Sequence, residues 1–199
     1  MILIPSFIRA LEAGVDEAGR GSLAGPVTAA AVILPPKINI NGLNDSKKIS
    51  ISKRNKLRIE IENKALAFSV VNIDSKKIDE TNILKATIIA MHRAIKLLKV
   101  KPNHLLIDGN YFKNYKNIPH KCVIKGDNKY QNIAAASILA KTYRDELMIN
   151  LSLKFCEYGW SKNKGYGTKE HRAAIEKFGL TKYHRKSFRL FNNQLILGI

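Results

Sequence analysis

Four acidic side chains stand in this sequence where carboxylates are costly unless something neutralises them. Asp16 and Glu17 follow the apolar start of "AGVDEAGRGSLAGPV" (Ala13–Val27), Asp108 closes "HLLID", and Asp127 closes "KCVIKGD". Each ends an apolar, strand-like run. In α/β sheets such ends gather on one edge, the edge that ligand sites favour. Four acids gathered there would repel one another. A pair of hard divalent cations, Mg2+ or Mn2+, relieves that repulsion, because carboxylate, water and phosphate oxygens are their ligands. Two such ions about 3.5–4 Å apart can clamp an in-line phosphoryl displacement. Immediately behind the first pair come Gly19, Arg20 and Gly21. Glycines flanking one arginine predict a backbone that something must approach closely. Taken singly, Asp108-Gly109 and Gly126-Asp127 read as ordinary turn acids. Neighbours on a regular strand also point to opposite faces, so Glu17 joins Asp16 only at a strand end or in a bulge.

Positioning these residues takes a sheet and helices to cover it. Gly14–Asp16 reads as a short first strand and Pro26–Leu34 ("PVTAAAVIL") as a second, buried one, followed by a polar loop to Ser46. The spacing of Leu57, Ile61 and Ala65 predicts a basic amphipathic helix over about 52–64. The β-branched "LAFSVVNI" (Leu66–Ile73) predicts a strand. Apolar residues recurring at three and four predict one long helix from Ser75 to Leu98. Strands at His104–Asn110 and Lys121–Asp127 follow, then an alanine-rich helix over about Gln131–Phe155 and another starting at Thr168 as N-cap. Strands paired early, then strands separated by helices, give an α/β class with a mixed sheet flanked by helices. We expect one domain over residues 1–199, with 156–199 as its basic helical C-terminal extension.

A chain of 199 residues, 45% hydrophobic, is long enough for one domain with a real core. It contains no apolar stretch near the roughly 18–20 residues of a membrane span, so no membrane association is expected. "MILIPSFIRA" lacks the basic start and full apolar segment of a secretory leader. Cys122 and Cys156 form no CxxC pair, which argues against a structural zinc or a disulfide framework and for the reducing cytoplasm. The net charge of +18, from 34 Lys+Arg against 16 Asp+Glu, suggests a polyanionic partner, most simply nucleic acid. AT-rich coding is a competing source, since only 9 of those 34 cations are Arg while Lys, Asn and Ile abound. Clustering favours the partner: Ser161–Leu190 holds nine Lys/Arg against two Glu, a net +7. Charge alone would suit a non-catalytic basic nucleic-acid-binding protein, but that reading gives no reason for acids at strand ends. Without a GxxxxGK[ST] motif, a P-loop nucleotide enzyme is disfavoured.

Five blocks, in order, resemble type 2 ribonucleases H, the bacterial ribonuclease HII family: "GVDEAGRGSLAGPV", "LNDSKKIS", "LLIDGN", "KGDNKYQNIAAASILAKTYRD" and "NKGYGTKEHRAAIEKFGLTKYHRKSF". The resemblance covers roughly Ala10 to Leu190. It implies a ribonuclease H-like sheet with a small helical C-terminal extension, and Asp16, Glu17, Asp108 and Asp127 as the catalytic, metal-holding quartet. Two Mg2+ or Mn2+ ions with substrate bound are implied. So is endonucleolytic cutting of RNA–DNA hybrids, and of DNA duplexes 5′ to an embedded ribonucleotide, leaving 3′-hydroxyl and 5′-phosphate ends. Such cutting would begin removal of misincorporated ribonucleotides. By the same resemblance Gly19, Arg20 and Gly21 read the ribose 2′-OH, the group that separates RNA from DNA. Tyr166 stacks on the neighbouring sugar, and Lys47, Lys48, Arg185, Lys186 and Ser187 contact phosphates. A monomer is implied, without the additional N-terminal domain of type 3 relatives.

Plainer accounts stand beside some of these roles. Lys47 reads equally as a solvated lysine and Ser187 as a helix cap. Asp145 reads as support for the metal site or as an ion-pair partner of Lys141 four residues earlier. His171 and His184 lie in a basic segment, which argues against Mg2+ ligation.

Overall fold

Three strands run as an antiparallel meander and two more add in parallel. The strands are β1 (Glu12–Ala18), β2 (Val27–Ile33), β3 (Ala67–Ile73), β4 (His104–Asp108) and β5 (His120–Val123). They form one sheet in the order β3-β2-β1-β4-β5. The molecule is seen here as a computed structural model that describes residues 3–7, 11–36, 38, 40–43, 46 and 49–190. Six helices accompany the sheet: α1 (Ile51–Lys64), α2 (Ser75–Thr81), α3 (Ile83–Leu97), α4 (Gln131–Ser152), α5 (Trp160–Asn163) and α6 (Lys169–Phe178). Among the described residues no helix is long and apolar enough to cross a membrane.

Alternation along the strands sorts the two faces. Val15, Ala29 and Ala31 pack on one face against Ala90, Met91 and Ile95 of α3. Ala30 and Val32 pack on the other against Ala135, Ile138 and Leu139 of α4 and Leu57 and Ile61 of α1. Every residue of β2 is buried, and its Ala29-Ala30-Ala31 run is small enough for helices to close on both sides. A third cluster seats the C-terminal segment: Tyr158, Trp160 and Ile175 meet Leu23, Ala24 and the α4 residue Met148.

Three sequence expectations change. The helix expected over 75–98 is two helices, because Asn82 takes φ 121°, a conformation no helix continues through. Its side chain then accepts the Lys85 N–H at 2.9 Å and caps α3. The strand expected to reach Asp127 stops at Val123. Lys125 at φ 54° turns the chain, leaving Asp127 in a 3-10 turn over Gly126–Asn128. The alanine-rich helix expected to reach Phe155 ends at Ser152. The C-terminal segment is helical as expected, at Cys156–Tyr158, α5 and α6, and beyond α6 it runs as turns to Leu190. Thr168 does cap α6, its Oγ1 accepting the His171 N–H at 3.2 Å.

α4 crosses β1 at very close range. A Cβ on Gly14 would lie 2.1 Å from the backbone carbon of Asn132, so only glycine admits the helix there. Asn132 locks the crossing: its Nδ2 donates to the Glu12 carbonyl at 3.2 Å and its Oδ1 accepts the Leu34 N–H at 2.9 Å. Backbone atoms on both sides leave no flexible neighbour to yield. Gly14→Ala is therefore expected to cost upward of about 3 kcal/mol, measured by urea unfolding, with loss of the native fold as the extreme outcome.

Candidate active site

β1 and β4 are parallel neighbours, so the residues at their C-terminal ends reach the same sheet edge. This brings Asp16 and Asp108 together. The pairing with β4 is described only as far as Val15↔Ile107, whereas β1 continues along β2 to Ala18↔Thr28. Glu17 therefore sits on a strand whose β4 side has ended, which frees its side chain to turn toward the open edge. Asp16 also leans forward, its Oδ1 accepting the Glu17 N–H at 2.6 Å. Asp16, Glu17 and Asp108 line one cavity of about 620 Å³. The alternation that separates neighbours on a regular strand does not keep these two apart.

Asp127 is not among the residues lining that cavity. It is buried in its 3-10 turn, where it accepts from Asn128 Nδ2 at 2.9 Å. The same turn touches the site through Gly126, whose N–H donates to Asp108 Oδ1 at 2.7 Å. Glu17 holds Arg20 Nη1 at 3.2 Å. Among the described residues, no three acids, histidines or cysteines stand grouped so as to hold a metal ion in this arrangement.

The electrostatics nevertheless ask for positive charge. Burial, then Glu17, then Asp108 push the Asp16 carboxyl well above the usual carboxylate range. Hydrogen bonds from the Ser137 side chain and the Glu17 amide offset this only in part. A donor set made of carboxylate oxygens crowded at one edge matches a hard divalent cation.

The same cavity is lined by the Gly19–Gly21 turn, together with Ala18, Ser46, Ser137, Lys141 and Tyr166. Gly19 has φ 90°, and a Cβ there would meet Arg144 Nε at 2.0 Å. Gly21 is different. It is exposed, and a Cβ would find nothing within 4 Å. The fold does not require glycine at 21, so its bareness suits a close visitor from the cavity side. Tyr166 is held beside this turn by backbone pairing of Ser22 with Tyr166, and Gly165 O accepts the Leu23 N–H at 2.8 Å.

Two buried guanidiniums support the turn from below. Arg144 donates from Nε to Pro26 O at 2.9 Å, from Nη1 to Lys164 O at 2.9 Å and from Nη2 to Ala24 O at 3.1 Å. Arg185 donates to the carbonyls of Gly19 at 2.7 Å, Arg20 at 2.8 Å and Gly25 at 2.9 Å. Both are fully buried. The expectation of a phosphate contact at Arg185 is therefore corrected: its donors face carbonyls, and no surface of it is left for a phosphate. Ser187 is exposed, and its hydroxyl donates to Asp79 Oδ1 at 2.6 Å. Lys47 and Lys48 lie outside the described residues. Asp145 takes the plainer of its two readings, accepting Lys141 Nζ at 2.7 Å with Arg54 Nη1 at 3.6 Å. Sequence reasoning missed Arg144, although a lone arginine amid the apolar spacing of an alanine-rich helix is a usable signal.

His171 and His184 form a buried pair behind Tyr166. The Thr181 N–H donates to His184 Nδ1 at 2.9 Å, which places the His184 proton on Nε2. That nitrogen lies 3.2 Å from His171 Nε2, which also accepts Trp160 Nε1–H at 3.0 Å. His171 then donates from Nδ1 to the Tyr166 carbonyl at 2.9 Å. The chain of bonds works only with both rings neutral. Burial lowers both pKa values, that of His184 to about 4 with His171 adding to the effect.

Comparison with known proteins agrees with this geometry. The sequence model of the Ribonuclease HII family matches residues 13–191. A Ribonuclease HII from Christiangramia forsetii is 61% identical over 183 residues, 92% of each chain. One from Parabacteroides distasonis is 59% identical over 188 residues, 94% of each. The crystal structure of the ribonuclease H2 from Pyrococcus horikoshii OT3 has a TM-score of 0.74 at 26% identity, covering 90% of this chain and 94% of that one.

The histidine pair sets a pH dependence. Because His184 titrates near 4 when folded and near 6.5 when unfolded, the unfolded chain binds more protons between those values. Stability is therefore expected to fall as pH drops from 6.5 to 4, by about 3 kcal/mol from this group. Urea unfolding at pH 7 and 4.5 checks it: His184→Gln should be less stable at pH 7 but show a shallower pH slope.

Proposed function

The chain belongs to the ribonuclease HII family, and from that premise we propose that it is a metal-dependent endonuclease reading ribose in a duplex. It hydrolyses the RNA strand of RNA–DNA hybrids and cuts 5′ to single ribonucleotides in duplex DNA, leaving 3′-hydroxyl and 5′-phosphate ends. One observation carries the reading: a single cavity is lined both by three carboxylates and by a glycine turn with an open Gly21.

Two divalent ions, held by Asp16, Glu17, Asp108 and Asp127, would supply an activated water and a counter-charge for the leaving 3′ oxygen. Asp16 fits such a role because burial and two neighbouring carboxylates push its carboxyl upward, a strain that a bound cation would relieve. Glu17 and Asp127 already have partners in Arg20 and Asn128, so joining the quartet requires each to turn. Arg20, exposed beside Glu17, is then released toward a phosphate. The backbone of Gly19–Gly21 meets the ribose 2′-OH from the cavity wall, which a side chain at 21 would hold away. Tyr166, 38% exposed, offers its ring to the adjoining sugar. Lys47 remains a phosphate contact in this reading, with the exposed lysines Lys162, Lys169, Lys177, Lys182 and Lys186 supplying affinity without sequence choice.

The decisive experiment is a labelled DNA duplex carrying one ribonucleotide, incubated with Mg2+ or Mn2+ and with chelator. A cut 5′ to the ribonucleotide, abolished by chelator, is expected. An intact strand under every metal condition overturns the reading, as does equal cutting of an all-DNA duplex. Asp16→Asn should end turnover while leaving duplex binding intact. Without metal it should also melt no lower than the unsubstituted protein, because it removes one of three mutually repelling acids. Gly21→Ala should fold normally, having an open Cβ position. It should lose about tenfold to a hundredfold in kcat/KM on the ribonucleotide duplex, measured by initial rates.

A further inference from the structure

We infer that Asp79, on α2 and outside the cavity, is a positioning residue that sets the ribose-facing turn through the C-terminal segment; the inference rests on the functional reading above. Its carboxylate takes three donors from that segment. Oδ2 accepts the Lys186 N–H at 3.0 Å, and Oδ1 accepts both the Ser187 N–H at 3.0 Å and the Ser187 hydroxyl at 2.6 Å. α2 grips the segment at a second point, where Ser75 Oγ donates to Lys182 O at 2.8 Å. Between these two grips lies Arg185.

Arg185 converts that grip into a peptide orientation. Its backbone N–H donates to Leu23 O at 2.8 Å, and its guanidinium takes the carbonyls of Gly19 and Arg20. In a trans peptide the C=O and N–H point in opposite directions. With the carbonyls of 19 and 20 drawn down to Arg185, the amide N–H groups of Arg20 and Gly21 are turned to the other side. That side is the cavity, which Gly19, Arg20 and Gly21 line and Arg185 does not. Two donors are thus presented where a sugar oxygen would arrive.

A carboxylate is the group this link needs. Two acceptor oxygens satisfy three donors, whereas an amide would set its NH2 against a backbone N–H. Asp79 is also a carboxylate whose charge acts on the buried Arg185. Asp79→Asn should therefore loosen residues 186 and 187 and let Arg185 shift, while Ser187→Ala removes one donor only and should act in the same direction more weakly.

The test reads turnover and loop order together. With the single-ribonucleotide duplex, Asp79→Asn should lower kcat by roughly tenfold and leave the Kd for an all-DNA duplex within about twofold. Hydrogen–deuterium exchange should quicken in peptides covering 19–25 and not in those covering α4, and Asp79→Glu should recover part of the lost kcat. Unchanged kcat with a faster-exchanging loop would overturn the inference. So would exchange rising equally in α4, with kcat falling only as the folded fraction falls. Tighter duplex binding at unchanged kcat would also overturn it, making the 186–187 amides a phosphate site that Asp79 blocks. Should the unsubstituted protein leave the duplex uncut, the functional reading falls, and the exchange comparison alone still decides whether Asp79 holds the loop.

Discussion

The near-contact of α4 with β1 at Gly14 governs where the rest of the site can be. Once the helix backbone lies against that glycine, its course along the strand is set, and it rises about 1.5 Å per residue. Asn132 locks the crossing, Ser137 then reaches Asp16, Lys141 enters the cavity, and Arg144 arrives beneath the turn at Gly19. The strand delivers Asp16 and Glu17, and the helix delivers Ser137 and Lys141 to the same cavity. A change in helix height would displace all four helix residues at once, which is why a missing Cβ at Gly14, two residues before Asp16, matters to the site.

Buried charge lies on both sides of the turn. Above it, three carboxylates share a cavity; below it, two guanidiniums are buried on backbone carbonyls. Burying a guanidinium costs several kcal/mol before its hydrogen bonds are counted. Bonds to a charged donor return about 1.5–3 kcal/mol each, so three or more can offset the desolvation. The same positive charge, held a few atoms below the turn, also favours the approach of a polyanion that the acids alone would repel.

How much of this was legible depended on whether periodicity or dihedral angles decided the outcome. Apolar runs ending in acids located Asp16 and Asp108, because burial and strand direction leave a mark in composition. Asp127 was found as a residue but misplaced as a strand end, since nothing in "VIKGD" reveals that Lys125 turns left-handed. Asn82 ended the first of two helices expected as one, since nothing in "ETNIL" reveals its positive φ. Glu17 looked barred from the site by strand alternation, yet the alternation binds only while both neighbours continue, and β4 is described beside β1 only to Val15. Arg185 was misread because a basic segment looks the same whether its cations face solvent or carbonyls.

Burial sorts the cations of that segment: Lys162, Lys169, Lys177, Lys182, Lys186 and Arg189 are exposed, Lys164 and Arg172 are half-buried, and Arg185 is fully buried. Arg144 and Arg54 repeat the pattern. Arg54 donates from Nε to Ser46 O at 2.8 Å and from Nη2 to Ile49 O at 3.0 Å, bracing the loop that brings Ser46 to the cavity. A guanidinium offers five donors in a fixed fork and is more weakly hydrated than an ammonium, so it can hold several carbonyls from within, where lysine could not. In a chain with nine arginines against 34 cations in all, three are placed under loops that line one cavity. The lysine excess describes a surface suited to a polyanion, and the three buried arginines describe an internal frame that gives the site its shape.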